Sequence, residues 1–169
     1  MHTIETARLR IRRLEAADAA FILQLLNEPS WLKHIGDKGV RTLADAEHYI
    51  ETGPLQMIAR FGFGSKLVAL KATGEAIGMC GLIKRDTLPD ADLGFAFLPE
   101  FWGQGYALEA AAATLADGFA SFGLTRILAI CNQDNHASCR LLEKLGFVFQ
   151  GLQRLTPDAA ELKLFARQF

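Results

Sequence analysis

The stretch LGFAFLPEFWGQGYALEAAA, Leu93 to Ala112, decides the fold. Its opening residues are apolar or small and stop at Pro99, which cannot donate to a sheet ladder. From Gly105 onward the run is alanine-rich, a helix former, and between the two lies only Trp102-Gly103-Gln104-Gly105-Tyr106-Ala107. Strand, glycine loop and helix therefore follow without a longer connection. The N–H groups of a first helical turn have no intrahelical partners and sit at the positive end of the helix dipole, which suits a phosphate. Gly103 and Gly105 add positive φ and close backbone approach. The dipole alone is worth only about 0.3–1 kcal/mol, so several convergent amides would have to hold the ligand. A tight turn that binds nothing would use the same glycines, and at this point both readings stand.

Two other phosphate loops fail on the letters. A dinucleotide fingerprint needs a third glycine three residues after Gly105, where Leu108 stands, and the strand that follows ends Ile130-Cys131 without an acidic ribose ligand. A triphosphate loop needs Gly-Lys-Ser/Thr, which does not follow.

Outward from this unit the pattern stays α/β. Thr6–Leu14 alternates as a first strand near a sheet edge, and Glu15–Asn27 carries Ala19, Ile22, Leu23 and Leu26 at helical spacing. From Glu28 to Arg41 the period is lost among Trp31, Lys33, His34, Asp37 and Lys38; helix resumes behind Thr42, which with Asp45 makes a capping box. Gly64–Lys71 and Ala76–Lys84 flank the turn Thr73-Gly74, and a second hairpin leads into Ala91–Leu98. A helix from Gly105 to Phe122 then crosses to Thr125–Cys131, which is expected parallel to Ala91–Leu98. Asn135 opens a short helix that Gly146 ends, and Phe147–Leu155 with Glu161–Ala166 forms a closing hairpin.

The 169 residues, 50% hydrophobic and 22% charged, fit one globular domain spanning 1–169. A net charge of -1 gives no global field toward nucleic acid or an anionic membrane, and neither is expected as a partner. Cys80, Cys131 and Cys139 lack CxxC spacing and sit among apolar neighbours, which reads as small buried hydrophobes in a reducing compartment rather than a redox or metal site. With Glu5, Arg8 and Arg10 near the start there is no secretory apolar segment, and a cytoplasmic location is expected.

Along Ala91–Leu98, Leu93, Phe95 and Phe97 share one face, the core side, while Asp92, Gly94, Ala96 and Leu98 share a flat one. An elongated ligand could lie on that flat face beside the loop. Asp92 lies there as a base candidate acting through water, with an exposed strand-end aspartate as the competing reading. In the irregular segment His34 and Asp37 are candidates for an acceptor site, against a plain solvated connection.

Leu93 to Gly151 resembles the core of the GNAT acyl-CoA N-acyltransferases, and more closely the branch containing the ribosomal-protein acetyltransferases RimJ and RimL. The likeness rests on Gly94-Phe95-Ala96-Phe97-Leu98-Pro99, the loop Trp102–Ala107 with Glu109-Ala110, Asn135-x-x-Ser138, and Glu143-Lys144-Leu145-Gly146-Phe147. Glu5–Arg12 also looks like the first strand of that branch. The resemblance implies a mixed, mostly antiparallel sheet of six to seven strands flanked by helices, with a splayed parallel pair forming an acyl-CoA cleft. It implies acetyl-CoA as cosubstrate, no metal, and direct attack by a primary amine, either a protein N-terminal α-amine or a small-molecule amine. Residue by residue it gives Phe97 and Leu98 to the pantetheine arm, and Gly103, Gln104, Gly105, Tyr106 and Ala107 to the pyrophosphate. Asn135 and Ser138 would face the arm near the thioester, although capping alone explains Asn135. The region holding His34 and Asp37 would line the acceptor cleft, and the protein would be a monomer or homodimer.

Three departures bear on the chemistry. Leu142 stands where many members carry a tyrosine acid, Ile130 where some carry a glutamate, and Trp102 where a basic residue commonly opens the loop. Ser138 is then the residue left to hydrogen-bond or protonate the leaving sulfur, whose acid needs little help if it resembles a thiol of pKa about 8.5. Deprotonating a lysine amine at pH about 7.5 costs roughly 4 kcal/mol, an α-amine below about 1 kcal/mol, so a weak apparatus favours the latter. A CoA-binding sensor that has lost turnover is the alternative function.

Overall fold

The first strand read from the sequence divides in two. In the computed structural model, which describes residues 3–169, the chain turns at Thr6, whose hydroxyl oxygen accepts the Leu9 N–H at 2.9 Å. Strands β1 (Ile4–Glu5) and β2 (Leu9–Arg12) pair antiparallel across that turn, so the sheet gains an eighth strand beyond the six to seven expected. Behind β2, Asp18 is buried and Arg12 grips both its oxygens at 2.8 and 2.7 Å. Helix α1 (Ala19–Leu26) follows.

Within the irregular segment lies a helix that periodicity could not reveal. α2 (Pro29–His34) is six residues long, with Pro29 at its first turn, where a missing N–H costs nothing. Trp31 pins it: the ring is buried and Nε1 donates to Gly36 O at 3.1 Å. The capping box forms as read, Thr42 Oγ1 accepting from Asp45 N–H at 3.1 Å and Asp45 Oδ2 from Thr42 N–H at 2.9 Å. It opens α3 (Leu43–Ile50), which runs through a π-helical turn over Glu51–Leu55 into α4 (Gln56–Phe61).

Strands β3 (Ser65–Leu70), β4 (Ala76–Ile83) and β5 (Asp92–Phe97) form the antiparallel meander. Helix α5 (Tyr106–Phe122) then crosses to β6 (Arg126–Asn132), which is parallel to β5. After α6 (His136–Lys144) the hairpin β7 (Val148–Gln153) and β8 (Leu162–Gln168) closes the sheet, with β8 lying between β6 and β7.

Both faces of the sheet are covered. Leu9, Ile11, Val68, Ile77, Leu82, Leu93 and Phe97 pack with Leu115 of α5 and Leu142 of α6 on one side. Leu67, Met79 and Leu98 pack with Ile22, Leu26, Trp31 and Ile50 of the first three helices on the other. The crossover thus places the glycine loop at the end of β5, ahead of α5.

Candidate active site

Strands β5 and β6 touch at one bridge, Asp92 to Leu128, where Leu128 N–H donates to Ala91 O at 2.9 Å. Beyond it they part, leaving a V-shaped gap that opens toward the glycine loop. In an antiparallel ladder the N–H and C=O of one residue point to one neighbour and those of the next residue to the other. Leu98 N–H donates to Ile77 O of β4 at 3.0 Å, so Phe97 and Phe95 direct their backbone groups away from β4, into the gap. The Phe97 carbonyl accepts from Trp102 Nε1 at 2.8 Å, consistent with that direction. The Phe97 N–H and both Phe95 groups thus line a gap in which no strand pairs with them.

The register decides which residues of β5 offer their main chain to the gap. Leu98 faces β4 with its amide engaged, and its side chain is buried under the first helices, so its backbone N–H is not presented to the gap. Phe95, further back on the strand, does present its backbone there. Its side chain packs on the core, as read, but its backbone is what the gap presents. The face shared by Ala96 and Leu98 is likewise covered by helices rather than open.

The loop has the shape expected of it. Gly103 and Gly105 take φ of 72° and 81°, and Gly105 is the residue before the first turn of α5, with no side chain capping that turn. The exposed amides there belong to Tyr106 and Ala107, both half-buried, at the end of a 17-residue helix. Gln104 keeps its N–H, while its side chain donates to Glu100 O at 3.0 Å.

A residue the sequence reading did not single out reaches this loop. Arg8 donates from Nη1 to Gln104 O at 2.9 Å and from Nε to Glu109 Oε2 at 2.7 Å, with its guanidinium 4.4 Å from the centroid of the Tyr106 ring. Glu109 also accepts from the Arg8 N–H at 2.9 Å and the Thr6 hydroxyl at 2.6 Å. Partial burial raises the Glu109 carboxyl, but these donors outweigh it and hold the group below the usual glutamate range. The clue was Glu109 itself, an acid alone among alanines in the first turn of α5.

Asp92 sits at the closed end of the gap and is 1% exposed, which removes the exposed strand-end reading. Arg85 Nε lies 3.0 and 3.2 Å from its two oxygens. Burial nevertheless prevails over the pull of Arg85 and raises the carboxyl above the usual aspartate range.

On the far side of the gap, Asn135 Oδ1 caps α6 by accepting the Ser138 N–H at 3.2 Å. Its capping role is therefore real, and its amide nitrogen is left for other partners. Ser138 is half-buried one turn into the helix. The C-terminal end of α2 docks here: Asn132 Nδ2 donates to Lys33 O at 3.3 Å, and His34 Nδ1 lies 4.0 Å from Asp134 Oδ1, buried and without a hydrogen bond. His34 is thus brought to the β6–α6 loop. Asp37 is not; it is 54% exposed, and its oxygens serve Gly39 N–H and Arg41 within its own loop.

All three cysteines are free and buried, and the fold brings Cys131 and Cys139 to an Sγ–Sγ distance of 3.0 Å. Burial, then the adjacent thiol, pushes Cys131 up to about 12, the mark of an unreactive thiol. Among the described residues no cluster of side chains could hold a metal, and no helix is long and apolar enough to cross a membrane.

Known proteins share this fold. A family model described as Acetyltransferase (GNAT) domain matches residues 8–148. The chain is 30% identical over 156 residues, 91% of its length and 86% of the relative's, to the uncharacterized N-acetyltransferase p20 of Bacillus licheniformis. An acetyltransferase crystal structure from Agrobacterium tumefaciens str. C58 superposes with a TM-score of 0.85 at 25% identity, covering 100% of this chain and 95% of that one. RimL, a ribosomal L7/L12 alpha-N-protein acetyltransferase solved with coenzyme A, shares the fold at a TM-score of 0.82 and 18% identity over 99% and 98% of the two chains.

Proposed function

The chain belongs to the GNAT acetyltransferase family, and on that premise we propose that it transfers the acetyl group of acetyl-CoA to a primary amine of α-amine basicity, a protein N-terminus or a small molecule of that kind. One observation carries the reading: the Phe97 N–H and the backbone N–H and C=O of Phe95, which no strand pairs, line the gap between β5 and β6, directly beside the free amides that open α5. Pantetheine carries two amides, and such an arm can add to an open strand edge as a peptide does. Extended, it spans about four residue lengths, roughly 15 Å. Since a strand advances about 3.3 Å per residue, an arm anchored at the loop ends beside Leu93 and Asp92.

The roles follow from that length. The N–H groups of Gly103, Gln104, Gly105, Tyr106 and Ala107 hold the diphosphate; the Phe97 N–H and the Phe95 backbone hold the arm. Bound acetyl-CoA supplies the thioester that the amine attacks. Asp92, with its carboxyl raised by burial, is the proton acceptor, reached through water from the gap. Ser138 hydrogen-bonds the departing sulfur, and the Asn135 amide steadies the arm. His34, held beside the β6–α6 loop, lies on the amine side; Asp37 is left out. Two solved neighbours support the cosubstrate, since RimL was crystallised with coenzyme A and the microcin C7 self-immunity acetyltransferase MccE with acetyl-CoA and AMP.

Thermal shift with acetyl-CoA, CoA, ATP and NAD in parallel tests the cosubstrate, and a panel of peptides with free N-termini against lysine analogues tests the acceptor. At 100 times the dissociation constant acetyl-CoA should add about 2.7 kcal/mol. The expected result is stabilisation by both CoA forms and turnover on α-amines at pH about 7.5. A larger shift with NAD overturns the proposal, as does transfer confined to lysine side chains.

A further inference from the structure

We infer that Arg8 is a positioning residue for the phosphate loop, fixing from the β1–β2 turn the junction of loop and helix, which Trp102 at the start of the loop does not reach. The inference rests on the acetyl-CoA reading above. The four exposed loop residues Trp102–Gly105 include two glycines of positive φ, so their conformation is entropically costly to hold. Such a loop binds an anion well only if its amides already converge.

Arg8 supplies that constraint from the turn between β1 and β2. Its guanidinium is used on three sides: Nη1 holds the Gln104 carbonyl at 2.9 Å, Nε holds Glu109 at 2.7 Å, and the plane lies over Tyr106 at 4.4 Å. Gln104, Tyr106 and Glu109 are thereby tied to one rigid group across the junction of loop and helix. Glu109 is fixed in turn by the Thr6 hydroxyl and the Arg8 N–H. Nη2 takes no part in these bonds and lies 3.3 Å from where a Cβ on Gly105 would sit, so the positive charge faces the residue that precedes the open amides. Trp102 donates to Phe97 O, fixing the start of the loop but bringing no charge. Only a planar fork can make these contacts together, which a lysine cannot.

The test uses the full chain with Arg8→Met and Glu109→Gln. Steady-state acetylation at saturating amine should show KM for acetyl-CoA raised about tenfold in R8M, as expected when preorganising bonds are lost, with kcat within about twofold. E109Q should move the same way, and the double variant should be no worse than R8M, because both act through one network. Independently of any cosubstrate, backbone amide order parameters at Gly103 and Gly105 should fall in R8M from the rigid value of about 0.85 toward 0.6. Unchanged KM overturns the inference, and so do unchanged order parameters. If wild-type protein does not bind acetyl-CoA, the function proposed above fails, and the order parameters alone decide the role of Arg8.

Discussion

Asp92 and Leu128 form the single bridge between β5 and β6, and everything proposed for the site depends on the strands parting just after it. The bridge places a buried carboxylate at the closed end of a gap lined by the Phe97 N–H and the Phe95 backbone, which no strand pairs.

Asp92 makes the pH dependence specific. Burial raises its carboxyl while Arg85 opposes, so the acid limb of kcat/KM should lie above the ordinary aspartate value of about 3.9. Asp92→Asn should abolish that limb and lower the rate by about 10²–10⁴. An unchanged limb in the variant would remove Asp92 from the chemistry.

Asn135 separates capping from cosubstrate binding. Asn135→Asp keeps an acceptor for the Ser138 N–H but removes the amide donor, so stability should hold within about 0.5 kcal/mol while acetyl-CoA affinity falls. Asn135→Ala should lose both, with about 1 kcal/mol of stability. Urea unfolding and calorimetric titration distinguish the pair; equal affinity in all three proteins would leave Asn135 a cap alone.

Glu109 sets an acid-stability signature. Its carboxyl lies below the usual range when folded, so its contribution is present above about pH 4.3 and is lost as pH falls through the folded value. The stability gap between wild type and Glu109→Gln should be widest near neutral pH and narrow below about pH 4. A gap that stays constant with pH would show that the ionised carboxylate is not what the network uses.

What the sequence disclosed is what neighbours in the chain decide. The strand, loop and helix from Leu93 to Ala112, the parallel return of β6 and the capping box of Thr42 with Asp45 all rest on residues a few positions apart. Thr42→Ala should accordingly cost about 1 kcal/mol, near 2–4 °C in a chain of this size. Which of Leu98 and Phe95 turns its main chain to the gap was out of reach, because it is set by register with Ile77 of β4. The same holds for Arg8 and Glu109, 101 positions apart, and for the burial of Asp92, which depends on how the β4–β5 turn folds Arg85 back. The meeting of His34 with Asp134 and the inward pairing of Cys131 with Cys139 are likewise properties of packing, not of spacing.

The most direct measurement is a backbone amide spectrum of the protein titrated with CoA. The largest shifts should fall on Phe95, Phe97 and Gly103 to Ala107, with smaller ones at Asn135 and Ser138. Shifts concentrated instead in the groove between Gln56, Arg60 and Lys84, with β5 and the loop silent, would contradict a CoA site between β5 and β6.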